Sequence, residues 1–263
     1  MTKIQDGDQV LFYLDARRNW LRRVEAGSSF HLHRGILQYD DVIGQEYGSL
    51  IATSLRVQVA ALPPLPRDRA VKMGRQTNIV YPKDAGLILL LAGIGPSSVV
   101  VEAGTGSGAL ASLLGYHVAP AGHVFSYEIR EDFAKAAAKN LKKAGLQEFV
   151  TIKQQDILEG ITETNVDTIV LDLAVPWEVV PLAYTVLKGG GVFVSFSPTI
   201  EQTQKTVDAL YTSHFTEIVT RELIEREIMV RKGKTRPETR MIGHTGYVTS
   251  ARKVYPPKSN KPE

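Results

Sequence analysis

The pattern of hydrophobic and polar residues changes near residue 81 and divides the chain into two parts. Before it, short runs rich in β-branched and aromatic residues are separated by turn residues, as at 9–15 and 19–26, a pattern typical of strands. After it, apolar runs alternate with segments of helical periodicity. We therefore predict a small β-rich N-terminal module over residues 1–62 and an α/β domain over residues 81–255.

Prolines dominate the stretch between these two parts. Pro63, Pro64 and Pro66 follow one another closely within residues 61–69. Because proline lacks a backbone N–H and has a fixed φ, we expect no regular helix or central strand there. Residues 63–80 are predicted to be a linker, and residues 256–263 a disordered tail.

In residues 81–255, predicted strands and helices alternate at short spacing, and this pattern predicts a mostly parallel sheet with helices on both faces. Its clearest helix spans 131–144, where Phe133, Ala137, Leu141 and Ala144 share one face and Gly145 follows the last turn. Two strands within 215–254 are predicted to add an antiparallel pair at the far edge. The remaining predicted strands are 98–102, 123–128, 149–156, 166–173 and 191–197, and the remaining predicted helices are 84–92, 108–115, 177–187 and 200–213.

Composition narrows the possible chemistry. The 263 residues are 43% hydrophobic and 22% charged, as in globular proteins. The chain has no cysteine, which excludes disulfides, thiol nucleophiles, zinc–cysteine sites and iron–sulfur clusters. Its six histidines form no H-x-x-x-H pair on a helix-like segment, so we expect no metal site. The longest nearly apolar run, 85–95, is shorter than the roughly 20 residues of a membrane span, and with no apolar signal segment we expect a cytoplasmic protein.

A glycine-rich turn follows the first predicted strand of the α/β domain. Residues 102–108 read Glu-Ala-Gly-Thr-Gly-Ser-Gly, and a predicted helix follows. In parallel sheets such turns lie at the ligand-binding edge, where glycines allow close approach and the helix offers free N–H groups. Gly104, Gly106 and Ala109 also satisfy the dinucleotide fingerprint. By itself, the turn does not separate a nicotinamide enzyme from other nucleotide-binding proteins.

Three acids fall at the ends of the next predicted strands. Glu128 lies about 20 residues after the glycine turn, where a carboxylate can accept both hydroxyls of a ribose. Asp156 could accept a hydrogen bond from the amino group of an adenine, and Asp172 follows the fourth strand. Each could instead be a helix cap or a surface charge. Together they line one edge of one predicted sheet.

The chain carries several motifs in a fixed order: Tyr-Pro-Lys-Asp at 81–84, Glu-Ala-Gly-Thr-Gly-Ser-Gly at 102–108, Tyr-Glu at 127–128, Asp156, Leu-Asp-Leu-x-x-Pro-Trp at 171–177 and Gly-His-Thr-Gly-Tyr at 243–247. They resemble the motifs of class I S-adenosylmethionine-dependent methyltransferases, and more narrowly of the tRNA (adenine-N1) methyltransferases that act at position 58. The resemblance spans nearly the whole chain and implies a Rossmann-like fold with a mostly parallel seven-stranded sheet, S-adenosyl-L-methionine as cofactor, tRNA as partner and a homotetramer.

The resemblance also assigns roles to individual residues. Asp172 would be the catalytic aspartate, hydrogen-bonded to N6 of the target adenine, and Tyr81 would lie near the target base. Phe196 stands where some relatives have tyrosine, and Ala174-Val175-Pro176 replaces Pro-Glu-Pro or Pro-Gln-Pro. The implied cofactor contacts are Gln76, Glu102, Gly104, Thr105, Gly106, Ser107, Gly108, Glu128, Asp156 and Asp172.

Two basic clusters are candidate tRNA contacts, because basic side chains bind phosphates. Each could instead be a solvated surface with no partner. The clusters are Arg231, Lys232, Lys234, Arg236 and Arg240 near the C-terminus, and Arg17, Arg18, Arg22 and Arg23 in the N-terminal module.

Two aromatic residues are candidates for holding the target base. Aromatic rings stack on a base that is flipped out of tRNA. Tyr81 and Phe196 are candidates for that stacking, with core packing as the alternative for each.

Two other functions remain open at this stage. A nicotinamide-dependent oxidoreductase would use the same glycine turn, but we identify no plausible hydride-transfer constellation after it. A catalytically inactive RNA-binding subunit of the same fold is disfavoured by the intact turn together with Glu128 and Asp172. The sequence leaves open whether position 57 of tRNA is also methylated.

Overall fold

The computed structural model describes residues 2–73 and 78–256, which form two compact units. The first unit ends at Met73, and the second contains the described residues that follow. Within the described part of the chain, no helix is both long and apolar enough to cross a membrane.

The first unit is built around a small antiparallel sheet. Its elements are β1 (Gln9–Tyr13), β2 (Asn19–Arg23), β3 (Ser29–Leu32), β4 (Gly35–Gln38), a 3-10 turn (Tyr39–Asp41), β5 (Leu50–Ala52), β6 (Gln58–Leu62) and α1 (Pro66–Lys72). Four strands form one sheet in the order β2-β1-β6-β5, and β3 and β4 form a separate hairpin. Val10 and Phe12 of β1 and Val59 of β6 are fully buried in the core of this unit.

The proline-rich stretch differs from the expectation of an irregular segment. β6, a central strand, continues through Leu62, and α1 begins directly at Pro66. The expectation was wrong because a proline at the first helical position lacks only an N–H that would have no intrahelical partner there. The Asp68 side chain also accepts a hydrogen bond from the Leu65 N–H at 2.9 Å, which stabilises this helix start. Residues 74–77 of the predicted linker lie outside the described part of the chain.

The second unit is a seven-stranded, mostly parallel sheet with helices, as predicted. The sheet order is β12-β15-β11-β10-β7-β8-β9, in which the five strands from β11 to β9 are parallel and β15 is antiparallel to both its neighbours. The elements are α2 (Pro82–Leu91), β7 (Val99–Ala103), α3 (Ala109–Val118), β8 (His123–Glu128), α4 (Glu131–Ala144), β9 (Val150–Gln154), a 3-10 turn (Ile157–Glu159), β10 (Val166–Leu171), α5 (Pro176–Val186), β11 (Leu187–Ser197), α6 (Ile200–Thr212), β12 (Phe215–Glu222), β13 (Ile228–Met229), β14 (Arg236–Pro237) and β15 (Tyr247–Lys253).

The strand order places a crevice at the carboxyl ends of β7, β8 and β10. The chain runs from β7 to β8 and β9 on one side and then crosses back to β10 on the other side of β7. Open parallel sheets bind ligands at such a switch point. The glycine turn leaves β7, Glu128 ends β8 and Asp172 follows β10. The fold therefore brings the three predicted site elements to one edge.

The predicted antiparallel pair at the far edge is confirmed, with β15 inserted between β11 and β12. No strand or helix was predicted for the segment between these strands, which carries the C-terminal basic cluster. The structure adds a short hairpin there, formed by β13 and β14. Residues 223–246 thus form an arm, hereafter called the 223–246 arm, whose side chains are largely exposed.

Candidate active site

A cleft of about 210 Å³ opens at the carboxyl edge of the sheet. Its walls come from the glycine turn, from the ends of β8 and β10, from the start of α4 and from the segment before α2. The predicted site residues that line it are Gly104, Thr105, Gly106, Ser107, Glu128 and Asp172.

The glycine turn packs directly against the backbone that follows β10. Gly104 has a φ of +94°, and a Cβ atom built on it would lie 2.0 Å from the carbonyl oxygen of Asp172. The Asp172 N–H donates to the carbonyl of Ala103 at 2.9 Å. Gly108 also has a positive φ, and its Cα faces Ala137 of α4. Only glycine combines this backbone conformation with such close contacts.

Glu128 is held in place by backbone donors. Its side chain is almost buried, with 7% exposed. The Gly106 N–H donates to Oε2 at 2.9 Å, and the Arg130 N–H donates to Oε1 at 3.0 Å. Each carboxylate oxygen can accept a second hydrogen bond, so both oxygens remain able to accept from a ligand in the cleft.

Asp172 is a carboxyl group with a perturbed pKa. Burial raises the pKa of Asp172 to about 6, because desolvation disfavours the charged form. Leu171, the last residue of β10, pairs with Ser195 of β11, and Asp172 and Phe196 are the residues that follow this pair. With a pKa of about 6, Asp172 gives the cleft a carboxylate that is ionised at neutral pH.

Glu102 lies inside the unit and is not among the residues that line the cleft. It is fully buried, the Ser126 hydroxyl donates to its Oε2, and its Oε1 has no hydrogen-bond partner among the described residues. Burial raises the pKa of Glu102 to about 8; the Ser126 hydrogen bond opposes this shift, and Asp172 and Glu128 add to it. Glu102 is therefore largely protonated at neutral pH.

Asp156 and Tyr81 lie outside the cleft lining. Asp156 caps the 3-10 turn that follows β9, since its side chain accepts from the Leu158 N–H at 2.9 Å. Tyr81 is the N-cap of α2, and 42% of it is exposed. Its neighbour Val80 lines the cleft. Gln76 lies outside the described residues.

Phe196, at the carboxyl end of β11, is 7% exposed. Its ring lies against the bare Cα of Gly246, where an added Cβ would approach the ring to 2.4 Å. Most of this ring is therefore covered by the protein itself.

Sequence reasoning missed several residues of the cleft wall. Phe133 lines the cleft at the start of α4, although its spacing predicted a core position. Helix α4 instead buries Ala134, Ala137 and Leu141, and the Arg130 guanidinium lies 3.7 Å from the centre of the Phe133 ring. Because a first-turn residue sits at the edge of the sheet, its periodicity alone does not separate a core from a cleft position. The other missed residues are Asn78, Ile79, Val80 and Leu110.

Tyr184 and Lys188 have the Tyr-x-x-x-Lys spacing of some hydride-transfer enzymes, although no such pair was identified from the sequence above. Tyr184 belongs to α5 and donates to the Val254 carbonyl at 3.0 Å, whereas Lys188 belongs to β11 and pairs with Asp167 at 2.6 Å. Neither lines the cleft. Among residues 2–73 and 78–256, no group of three or more His, Asp or Glu side chains could hold a metal ion.

The strand order, the glycine turn after the first parallel strand and the acid that ends the second define the Rossmann-like fold of class I S-adenosylmethionine-dependent methyltransferases. Residues 58–239 match the family model described as "tRNA methyltransferase complex GCD14 subunit", and residues 3–51 match "TrmI-like N-terminal". The chain therefore belongs to the GCD14/TrmI-like family of tRNA methyltransferases.

Solved structures of similar proteins cover almost the whole chain. One is a SAM-dependent O-methyltransferase from Thermotoga maritima, with 36% identity, a TM-score of 0.91, and coverage of 97% of this chain and 96% of that one. Another is the tRNA (m1A58) methyltransferase TrmI from Aquifex aeolicus, with 27% identity, a TM-score of 0.85, and coverage of 97% and 100%.

A curated relative gives a higher sequence identity. The tRNA (adenine(57)-N(1)/adenine(58)-N(1))-methyltransferase TrmI of Methanocaldococcus jannaschii is 43% identical over 215 residues, which cover 72% of this chain and 76% of the relative.

Proposed function

We propose that this protein transfers the methyl group of S-adenosyl-L-methionine to N1 of adenine 58 in the T-loop of tRNA. Family membership and the names of the Methanocaldococcus and Aquifex relatives support this activity. The structural observation that carries the proposal is the meeting of the glycine turn, Glu128 and Asp172 in one cleft. The name of the Thermotoga relative makes methylation of a hydroxyl group the alternative.

The residues of the cleft fit this cofactor. Its ribose needs acceptors for two hydroxyls, and Glu128 offers two oxygens fixed by backbone donors. The Ser107 hydroxyl is buried at the cleft and has no hydrogen-bond partner within the described residues, so it is available to a polar ligand group. We assign the methionine part of the cofactor to the turn at 104–108 and the ribose to Glu128.

The adenine end of the cofactor is assigned to Asp156 and Gln76. The Asp156 side chain already accepts one hydrogen bond, from Leu158, and a carboxylate has further acceptor sites for an amino group. Glu102 does not contact the cofactor directly in this proposal. It supports the glycine turn through a chain of hydrogen bonds that runs from Glu102 to Ser126 and from Ser126 to Thr105.

S-adenosyl-L-methionine supplies a methyl group that is already activated by its positively charged sulfur. The protein must therefore align the adenine with that methyl group and exclude water. N1 of adenine is a weak nucleophile and gains positive charge during the attack. A carboxylate at Asp172 that accepts a hydrogen bond from the N6 amino group increases electron density at N1 and stabilises the growing charge.

The base of adenine 58 must flip out of the folded T-loop to reach this cleft. An aromatic ring can hold the flipped base by stacking, which is worth about 1–3 kcal/mol. Tyr81 fits this role because it is 42% exposed and adjacent to the cleft residue Val80. Phe196 is largely covered and is not among the residues that line the cleft, so we do not assign it to stacking on the base.

Both basic clusters have exposed side chains suited to phosphate contacts. In the N-terminal cluster, Arg18 pairs with Asp15 and Arg22 lies over the ring of Phe30, which reduces the charge available to RNA. We therefore assign the larger share of tRNA binding to Arg231, Lys232, Lys234, Arg236 and Arg240.

Replacing Lys232, Lys234 and Arg236 by alanine is expected to weaken tRNA binding and to flatten its salt dependence. Each lost phosphate contact removes counterion release, so the slope of log K against log salt should fall by about 2 to 3. Filter binding over a salt series measures the slope. The triple alanine variant of Lys139, Lys142 and Lys143 on α4 is the charge-matched control. An equal slope in the two variants would contradict the assignment.

We also propose that the protein is a cytoplasmic homotetramer. The 223–246 arm exposes apolar side chains that a partner subunit would cover, namely Ile228, Val230, Met241 and Ile242. Light scattering is expected to give the mass of four chains of 28.9 kDa each, and Val230→Asp should lower it. A monomeric mass for the unaltered protein would contradict this assembly.

The proposed reaction is tested by incubating the protein with unmodified tRNA and S-adenosyl-L-methionine and mapping the methylated nucleotides. N1-methyladenosine at position 58 is expected, and the same map shows whether position 57 is modified. A ribose or other O-methyl product would favour the alternative suggested by the Thermotoga relative. If calorimetry detected binding of NAD but no binding of S-adenosyl-L-methionine, the protein would be better explained as an oxidoreductase. Binding of tRNA without methylation would favour an inactive subunit.

A further inference from the structure

Two motifs that lie about 160 residues apart meet in one buried polar cluster. The Lys83 ammonium donates to Asp84 Oδ1 at 2.7 Å, to Thr245 Oγ1 at 2.7 Å and to the Leu223 carbonyl at 2.6 Å. The Thr245 hydroxyl donates to Asp84 Oδ2 at 2.7 Å. The side chain of Asp84 is fully buried and that of Lys83 is 8% exposed. We call Lys83, Asp84 and Thr245 the clasp.

The hydrogen bonds of the clasp are complete. The three ammonium hydrogens of Lys83 have three acceptors, and both carboxylate oxygens of Asp84 accept from a clasp residue. Burying an ion pair costs free energy, and apolar residues of similar size often stabilise a fold as well or better. What a satisfied polar network adds is one defined arrangement of the segments that it joins. The clasp is therefore suited to fixing positions.

On one side, the clasp holds the segment that enters α2. Lys83 and Asp84 lie in the first turn of α2, which begins at Pro82 after the N-cap Tyr81. The three residues before Tyr81, from Asn78 to Val80, line the cleft.

On the other side, the clasp holds the segment that enters β15. His244 contacts the Pro198 carbonyl through Nε2 at 2.9 Å and Glu222 through Nδ1 at 2.7 Å. Gly246 lies against the ring of Phe196. Leu171, the last residue of β10, pairs with Ser195 of β11, and Asp172 and Phe196 are the residues that follow this pair. This segment therefore packs against the strand that neighbours the one ending before Asp172.

We propose that Lys83, Asp84 and Thr245 are positioning residues for methyl transfer, which lock the segment entering α2 to the segment entering β15 and so set the position of the cleft wall at 78–80 relative to Asp172. This inference rests on the proposed function. Near-attack geometry is sensitive to small displacements, since a shift of about 1 Å can cost about a hundredfold in rate. Loosening the clasp should therefore slow the chemical step and leave cofactor binding unchanged.

Thr245→Val tests the proposal, because valine keeps the shape of threonine and removes only the hydroxyl. Its kcat for tRNA methylation is expected to fall by about tenfold to a hundredfold, with the KM for S-adenosyl-L-methionine unchanged. Thr245→Ser, which keeps the hydroxyl, is expected to restore most of the rate. Thr249→Val is the matched control, because it removes the buried hydroxyl of a threonine inside β15, one that pairs with Thr220 at 2.8 Å, without touching the clasp.

Hydrogen exchange provides a readout that does not depend on activity. In Thr245→Val, amide exchange should rise in residues 78–84 and in residues 239–246 together, whereas Thr249→Val should change neither. If the unaltered protein methylates no tRNA, the proposed function fails while the exchange data still decide on the clasp. A normal kcat in Thr245→Val, faster exchange in only one segment, or loss of folding in Thr245→Val but not in Thr249→Val would each overturn the proposal.

Discussion

Asp172→Ala is expected to slow methyl transfer to tRNA by about 10²- to 10³-fold while the protein still binds S-adenosyl-L-methionine. The carboxylate stabilises charge that develops on the adenine only during the reaction, and loss of one such group typically costs about 10²- to 10³-fold in rate. Single-turnover kinetics measure the rate, and calorimetry measures cofactor binding. Asp172→Asn keeps the size of the side chain and isolates the effect of its charge. An unchanged single-turnover rate in the alanine variant would refute the role.

The raised pKa of Asp172 adds a pH dependence to this prediction. Burial places the pKa of Asp172 at about 6, so the carboxylate becomes protonated below that pH. The protonated group is neutral and is a weaker hydrogen-bond acceptor for the adenine amino group. We expect kcat/KM, which reports ionisation in the free enzyme, to fall as the pH drops through 6 and to be level above pH 7. In Asp172→Asn the residual activity should lack this transition.

Gly104→Ala is expected to eliminate cofactor binding and to lower the free energy of unfolding by roughly 2–4 kcal/mol. Its new Cβ would lie 2.0 Å from the Asp172 carbonyl oxygen, in a backbone conformation with φ at +94°. The glycine turn and the strand end that carries Asp172 would have to separate. Chemical denaturation measures the stability, and calorimetry measures binding of S-adenosyl-L-methionine.

Gly93→Ala is the control for backbone strain alone. Gly93 also has a positive φ, of +63°, but its Cα has open space around it. The alanine variant should be mildly destabilised and should keep cofactor binding. If the two variants behaved alike, the close approach of the turn to Asp172 would not be what requires glycine at position 104.

The sequence predicted those elements whose signals are local. The predicted bounds of β8 and α4 coincide with the observed ones, because α4 carries acids in its first turn, lysines in its last and Gly145 as a left-handed cap. The proline-rich stretch misled the prediction because the same residue that breaks a helix interior is favoured at its first position. At Pro66 only position within the helix decides between the two effects.

The site was predictable to the extent that strand ends converge in a parallel sheet. Glu128 and Asp172, predicted at the ends of the second and fourth strands, both line the cleft, whereas Asp156 at the end of the third does not. No spacing rule connects Lys83 and Asp84 to Thr245, because the contact depends on how the far edge of the sheet folds back. The cleft position of Phe133 likewise follows from where α4 begins relative to the sheet edge, which helical periodicity does not encode.

The proposed hydrogen bond between Asp172 and N6 of the target adenine can be probed by changing the residue and the base together. A tRNA with purine riboside at position 58 lacks the N6 amino group and is assayed in single turnover with the unaltered protein and with Asp172→Ala. We expect either change alone to slow methylation and, on the purine tRNA, Asp172→Ala to cause little further loss. Full, independent losses from the two changes would show that Asp172 does not act through N6.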